Sequence, residues 1–141
     1  FYISIFFINF SKKILTLIIM KTFGNIIWFI LGGFICALLY WIVGLIMCLT
    51  IVGIPFGVQL FKIGKFVLLP FGHDLVAGPN NGGCINIAFN ILWILIGWWE
   101  IALSHLTFGL CLCATIIGIP FGIQHFKIAI GTLLPFGKTI A

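Results

Sequence analysis

One acidic side chain stands inside a long apolar stretch of the sequence. Glu100 follows the pair Trp98-Trp99 and precedes Ser104 and His105. A carboxylate in a membrane segment is costly and by default suggests a function. On a helix Ser104 shares the face of Glu100, whereas His105 lies about 140° round the axis. These three residues are candidates for a proton or cation site, and the alternative is a structural carboxyl group that is protonated or paired with lysine.

Two glutamine–lysine pairs recur at matched places in the chain. Gln59 precedes Lys62 by three residues, and Gln124 precedes Lys127 by the same distance. This spacing puts each pair on one helix face. If the two faces meet, they form a small polar site for an anion or a lipid head group. The alternative is that both lysines are anchors whose side chains reach the membrane interface.

A glycine–proline block precedes each of these pairs. Both blocks read Gly-Ile-Pro-Phe-Gly, in which proline removes a backbone donor and the glycines relax the φ constraint, so a helix breaks there. Broken helices expose backbone dipoles to ions in transporters, but a tight turn between closely packed helices uses the same residues. The residues concerned are Gly53, Pro55 and Gly57 in the first block and Gly118, Pro120 and Gly122 in the second.

No other group of residues has the pattern of a catalytic or metal site. The sequence contains no P-loop, no nucleophile elbow and no HExxH motif. His73 and Asp74 offer two metal ligands without a third, and the five cysteines form no Cys-x-x-Cys pair. We therefore expect no enzymatic activity, no bound metal and no cofactor.

The composition requires a lipid environment. Of the 141 residues, 63% are hydrophobic and 6% are charged, whereas a soluble domain carries about 25% charged residues. So few polar side chains cannot cover a globule in water, which excludes a water-soluble enzyme, a secreted disulfide module and a disordered tail. The formal charge of +5 comes from isolated lysines, without the clustered cations that nucleic-acid binding needs.

The chain is a tandem duplication. A shift of 65 residues aligns 21–75 with 86–140 without a gap, and 25 of the 55 aligned positions are identical by direct count. Such self-similarity indicates a repeated structural unit. We divide the chain into a first repeat over 20–77, a linker rich in Gly, Asn and Pro over 78–85, and a second repeat over 86–141.

The repeated blocks resemble the YccF inner membrane domain. The shared pattern in each copy is Asn-Ile-x-Trp, an apolar stretch, Gly-Ile-Pro-Phe-Gly, Gln-x-Phe-Lys and Leu-x-Pro-Phe-Gly, and it covers residues 20–140. The resemblance implies a bacterial inner-membrane protein with two helices per copy. It brings no established activity, substrate or catalytic residue. Glu100 departs from the apolar residue that the family usually has after the tryptophan pair.

Residues 1–19 form a hydrophobic segment ahead of the first repeat. The segment is interrupted by Ser11-Lys12-Lys13 and ends before Met20. We interpret it as an extra leader upstream of a true start at Met20, and the alternative is a short additional helix. The charges lie in the middle of the segment, which is not typical of a cleaved signal peptide.

The apolar runs predict an all-α integral membrane protein. Backbone in lipid must be helical or form a closed barrel, and alternation with a period of two residues is absent from this sequence. Residues 25–49 and 90–114 are long enough to span a bilayer. Residues 50–69 and 115–134 are either short second spans or amphipathic helices at the interface.

The charge distribution favours four transmembrane or membrane-embedded helices, arranged as two parallel helical-hairpin repeats. With two helices per copy, the charged loops and the N-terminal lysines fall on one side, and the turns at 50–54 and 115–119 carry no charge. The positive-inside rule then predicts a multi-pass inner-membrane protein with both termini in the cytoplasm. An even number of helices per copy makes the copies parallel repeats.

The sequence leaves two functions open. Broken helices beside paired lysines favour an oligomeric channel or transporter for an ion or small solute. The scarcity of other polar groups favours a non-transporting scaffold or accessory component that binds a partner protein or lipid. We expect contact with membrane lipids and self-association into a homo-oligomer, and the sequence identifies no protein partner.

Overall fold

The protein is mostly helical, as predicted. The computed structural model describes all residues, 1–141. Two short strands, which the sequence did not predict, accompany six helices. In chain order the elements are α1 (Tyr2–Trp28), a π-helical turn (Phe29–Gly33), α2 (Phe34–Cys48), α3 (Ile54–Leu68), β1 (Leu75–Ala77), α4 (Cys84–Ile96), α5 (Trp99–Cys113), α6 (Ile119–Leu133) and β2 (Lys138–Ile140).

A glycine interrupts the first apolar run of each repeat. Gly32 has φ 137° and Gly97 has φ 106°, a region of backbone space that other residues rarely adopt. In the second repeat, α4 and α5 differ in direction by 70° across this break. The predicted span over 25–49 therefore contains a kink within one helical stretch, and the predicted span over 90–114 is bent into two helices. Each repeat consists of a leading helix, this kink or break, and a helical hairpin.

Helix length limits what can cross a bilayer. By length and composition, Tyr2–Cys48 is the one helical stretch that could span, and the bent pair α4–α5 is a second if it counts as one span. The helices α3 and α6 have 15 residues each, or about 22 Å at helical rise, against a hydrocarbon core of about 30 Å. The prediction of four membrane-crossing helices is therefore not confirmed.

A pseudo-twofold axis relates the two repeats. The strands β1 and β2 pair antiparallel, with Leu75 opposite Ile140, and these two residues are equivalent under the 65-residue shift. The same holds for Tyr40 and His105, whose Oη and Nε2 atoms are 2.7 Å apart. In each of these two contacts a residue of the first repeat meets its own counterpart in the second repeat, so both contacts lie on the axis. The axis therefore passes from the strand pair to the contact between α2 and α5.

The helices α3 and α6 run antiparallel across this axis. Phe56, near the start of α3, has its ring centroid 5.7 Å from that of Phe136, just beyond the end of α6. The equivalent pair Phe121 and Phe71 has the same separation of 5.7 Å. Parallel helices would hold each pair about 15 residues of rise, or roughly 22 Å, apart. The hairpins therefore point in opposite directions, and the prediction of parallel hairpins is wrong.

Apolar side chains fill the crossing of α3 and α6. Ile63 and Ile128, which are equivalent, are both 0% exposed, and they belong to a core cluster completed by aromatic residues of both repeats. Only 27 of 141 residues are buried, so most of the apolar side chains lie on the surface. Such a surface is far larger than the apolar patches of soluble monomers and fits a lipid environment.

The segments outside the repeats contribute little to this core. In α1 the only buried residues are Gly24 and Trp28, so the helix over residues 2–23 extends away from the core. The predicted leader over 1–19 covers Phe1 and most of this stretch, and it stays a prediction. The linker begins with a hydrogen bond from the Gly78 amide to the Gly137 carbonyl (2.8 Å), and α4 begins at Cys84.

Candidate binding cleft between the repeats

Asparagine and tryptophan side chains hold each repeat together. Asn25 makes two hydrogen bonds of 2.9 Å with the backbone of Phe71, one as donor and one as acceptor. Trp28 donates from Nε1 to the Val67 carbonyl at 2.7 Å. The second repeat repeats both contacts, through Asn90 and Trp93. These residues explain the Asn-Ile-x-Trp pattern: they satisfy backbone groups where the chain leaves the second helix of the hairpin.

The paired lysines cross from one repeat to the other. Lys62 donates from Nζ to the carbonyls of Pro135 (2.6 Å) and Lys138 (3.0 Å). Lys127 donates to the Pro70 carbonyl at 3.1 Å and forms an ion pair with Asp74 at 3.1 Å. We call these the lysine cross-contacts. Both ammonium groups donate to carbonyls just beyond the ends of the opposite hairpin, where cations are favoured; the Pro135 and Pro70 carbonyls also accept from the amides of Lys138 and His73.

The glutamines do not join these lysines. Gln59 and Gln124 each have a buried Oε1 atom without a hydrogen-bond partner, and neither contacts the lysine three residues later. The glutamines and lysines therefore do not form the single polar site that the sequence predicted. Burial lowers the pKa of Lys138, whose carbonyl accepts from Lys62 and whose ammonium group donates to the Ile130 carbonyl at 3.1 Å.

The glycine–proline blocks form the turns of the hairpins. Pro55 and Pro120 lie in the first turn of α3 and α6, where a missing N–H costs nothing. A Cβ atom on Gly57 would lie 2.6 Å from the Gly44 carbonyl oxygen, and one on Gly122 would lie 2.7 Å from that of Gly109. The glycines therefore allow close packing of the two helices of each hairpin.

The turns begin and end with further repeated contacts. The Thr50 hydroxyl accepts from the Gly53 amide at 3.1 Å, and Thr115 accepts from Gly118 at 3.1 Å. Both blocks have the geometry of a tight turn, and the apolar residues at their tips are among the most exposed in the chain, with Ile51 at 88% and Ile117 at 85%.

Glu100, Ser104 and His105 are not brought together. Glu100 is exposed in the first turn of α5, an end of the helix where a carboxylate is favoured. The Ser104 hydroxyl donates to the Glu100 carbonyl at 2.9 Å, not to its carboxylate. His105 is buried and takes partners on other helices.

A largely apolar cleft of about 590 Å³ opens between α2 and α5. Its size falls in the range of small-molecule sites, which are apolar with a few polar groups. Its walls include Leu39 and Val43 from α2, and Ile101 and Phe108 from α5. Charged side chains are absent from its lining.

A chain of three polar side chains lines this cleft. The Tyr40 hydroxyl lies 2.7 Å from His105 Nε2, and His105 Nδ1 lies 2.9 Å from His125 Nδ1. Of these three residues the sequence reasoning singled out only His105. The alignment of the two repeats could have identified the other two: Tyr40 aligns with His105, and His125 aligns with Leu60 of the first repeat.

No metal site accompanies the cleft. No three His, Cys, Asp or Glu side chains gather in an arrangement that could hold a metal ion. All five cysteines are free.

Comparison with known proteins decides the family. The family described as "Inner membrane component domain" (YccF) matches the chain twice, over residues 23–73 and 88–138. This chain belongs to the YccF family. The two matched segments are offset by 65 residues, which confirms the tandem duplication. The YccF pattern residues Asn25 and Trp28 form the hydrogen bonds within the first repeat described above.

Two YccF relatives match along nearly their whole length. The inner membrane protein YccF of Escherichia coli (strain K12) is 35% identical to this chain over 86% of this chain and 87% of its own. The inner membrane protein YccF of Shigella flexneri has the same values. No solved structure matches the chain. The family membership and these relatives support a bacterial inner-membrane location.

Proposed function

We propose that this YccF chain is a non-transporting membrane component that binds lipid, rather than a channel or transporter. The observation that carries the proposal is the filled pseudo-twofold axis. Ile63 and Ile128 are fully buried at the crossing of α3 and α6, so apolar side chains close the position where a path between the repeats would run.

The lysine cross-contacts support the same proposal. A transport role needs cationic groups that can meet a solute. The ammonium groups of Lys62 and Lys127 instead donate to backbone carbonyls of the opposite repeat. Releasing either ammonium group breaks a charge-assisted hydrogen bond, at a cost of about 1.5–3 kcal/mol each, although the Pro70 and Pro135 carbonyls keep the amides of His73 and Lys138 as donors.

We further propose that the hairpins lie at a shallow angle in the membrane, with the strand pair towards the cytoplasm. The polar groups support this orientation, because Lys62, Lys127, Lys138 and Asp74 all lie near the strands. At the opposite end of the axis, α2 carries no charged residue, and the one acidic residue of α5, Glu100, lies in its first turn. With the axis along the membrane normal, both repeats present their polar side to one membrane face.

In this arrangement the C-terminus, which pairs with Asp74 beside the strands, lies on the cytoplasmic side, and we propose the same side for the N-terminus. The helix α2 faces the hydrocarbon, and so does α5 beyond Glu100 in its first turn. This arrangement replaces the upright multi-pass hairpins expected from the sequence. Lipid covers the exposed apolar faces, so the proposal does not require the homo-oligomer, and we propose no catalytic role.

Ion and solute flux into proteoliposomes tests the absence of transport. Purified protein is reconstituted and passive fluxes of protons, potassium and chloride are compared with protein-free liposomes, with gramicidin added to a parallel sample as a detection control. We expect no flux above the protein-free level. Flux that falls in Glu100→Gln or in the double variant Lys62→Ala/Lys127→Ala would overturn the proposal in favour of transport.

A further inference from the structure

The cleft between α2 and α5 has a polar group, on His125, that the chain leaves without a partner. His125 uses Nδ1 to contact His105, and its Nε2 atom has no partner within the protein. Nε2 is also not among the fully buried unpaired polar atoms, which are confined to the two glutamines. His125 lines the cleft, so this nitrogen is available to a bound molecule.

The hydrogen-bonded chain can run in either direction. If the Tyr40 hydroxyl donates to His105 Nε2, His105 donates from Nδ1 to His125, and His125 Nε2 carries the free proton. If His105 donates to Tyr40, His125 donates to His105, and its Nε2 is a free acceptor. A hydroxyl group can accept from the first form and donate to the second, so it satisfies both.

The lining restricts the rest of the molecule. No charged side chain borders the cleft, so a carboxylate or phosphate head group would be buried without a counter-charge, which is strongly unfavourable. The lining is otherwise mainly apolar, and the rim residues Leu31 and Phe108 are exposed, which leaves the cleft open to the surrounding lipid.

The repeat symmetry also indicates a single ligand. Leu60 occupies in the first repeat the place that His125 occupies in the second, and both line the cleft. One side of the pseudo-symmetric cleft is therefore apolar, and the other has the free nitrogen.

We infer that the cleft binds an uncharged, hydroxyl-bearing lipid, whose hydroxyl group pairs with His125 and whose hydrocarbon chain lies between α2 and α5. The inference rests on the membrane immersion of the proposed function, but not on the absence of flux. A flux experiment can therefore fail while the lipid site stands, and the reverse also holds.

Photo-crosslinking in nanodiscs tests this site. The probes are a long-chain primary alcohol with a diazirine in its chain, the carboxylic acid of the same chain, and the corresponding alkane. Labelled peptides are identified by mass spectrometry, and the half-saturating mole fraction of each probe is measured. We expect the alcohol to label peptides of α2 and α5 at a lower mole fraction than the acid or the alkane.

Two variants separate the hydroxyl contact from the cleft itself. His125→Leu, which copies the first repeat, should weaken labelling by the alcohol about 2- to 12-fold, the factor for one neutral hydrogen bond, and leave the alkane unchanged. Leu39→Trp fills the cleft and should abolish labelling by the alcohol. Ile46→Trp, on the same helix outside the cleft, should not change it, and tryptophan fluorescence checks that each variant is folded.

Two results would overturn the inference. Equal labelling by alcohol and alkane, unaffected by His125→Leu, would show that the cleft takes any acyl chain. Labelling by the acid at a mole fraction equal to or below that of the alcohol would show that an anionic head group is accepted.

Discussion

The lysine cross-contact from Lys62 offers the sharpest test of the docking between repeats. Replacing Lys62 by Met keeps an unbranched side chain of similar reach and removes the ammonium group. Two backbone acceptors, the carbonyls of Pro135 at 2.6 Å and Lys138 at 3.0 Å, then lose the charged donor, and Pro135 keeps only the amide of Lys138 at 3.4 Å. A hydrogen bond to a charged group contributes about 1.5–3 kcal/mol, so the gross loss is about 3–6 kcal/mol.

Part of this loss is recovered. Methionine no longer requires the partial dehydration of a cation, and it adds apolar contact in the same space. We therefore expect a net destabilisation of about 2 kcal/mol for Lys62→Met. Lys127→Met should cost less, about 1 kcal/mol, because one of its two partners is Asp74, whose side chain is 62% exposed and whose ion pair contributes little.

Equilibrium unfolding provides the measurement. Protein in dodecyl maltoside micelles is titrated with sodium dodecyl sulfate, and unfolding is followed by tryptophan fluorescence. Lys65→Met is the matched control, since Lys65 lies on the same helix, is exposed and makes no hydrogen bond. A Lys62→Met midpoint equal to that of Lys65→Met would refute the cross-contact.

Three further substitutions test the packing within each repeat, all by the same unfolding titration. Asn90→Leu removes both hydrogen bonds to the Phe136 backbone and should lower the free energy of unfolding by about 1–3 kcal/mol. Wild-type stability would show that these hydrogen bonds do not hold the repeat together. Gly57→Ala introduces a Cβ atom 2.6 Å from a backbone oxygen and should cost about 1–3 kcal/mol, whereas Gly83→Ala, with nothing nearer than 3.4 Å, should stay within about 0.5 kcal/mol. Gly97→Ala meets no atom within 4 Å, so its expected cost of about 1–2 kcal/mol comes from the positive φ alone; no cost would mean that the break can be straightened.

The duplication and the helical class could be predicted from the sequence because both are written in local patterns. A gapless 65-residue shift needs no three-dimensional information, and uncharged runs flanked by lysines identify membrane-embedded helices. The turn at each glycine–proline block was also one of the two interpretations that the residues allowed, and the close approach of Gly57 to Gly44 shows the reason.

The relative direction of the repeats could not be predicted in this way. Positive-inside reasoning assumes upright helices, and under that assumption Lys62 is an anchor that reaches the interface. In the structure Lys62 instead reaches the opposite repeat, because α3 and α6 run antiparallel. The break at Gly32 was missed for a related reason: one glycine in an apolar run is tolerated in many helices, and only its φ of 137° shows the break.

The cleft could not be predicted from the sequence because its three hydrogen-bonded polar side chains come from three different helices. Tyr40, His105 and His125 are far apart in sequence, and the sequence placed His105 only beside Glu100 and Ser104 of its own helix. The antiparallel crossing of α2 and α5 brings His105 to Tyr40 instead.

Labelling of the two hairpin tips tests the shallow, oppositely directed hairpins most directly. Single cysteines replace Ile51, Ile117 or Val76 in a variant without the five native cysteines, and intact spheroplasts are treated with a membrane-impermeant maleimide. We predict that neither tip reacts from the periplasm and that position 76 reacts only after the membrane is opened. Periplasmic labelling of both tips would contradict it in favour of upright parallel hairpins, and labelling of only one tip would contradict it in favour of an inverted repeat.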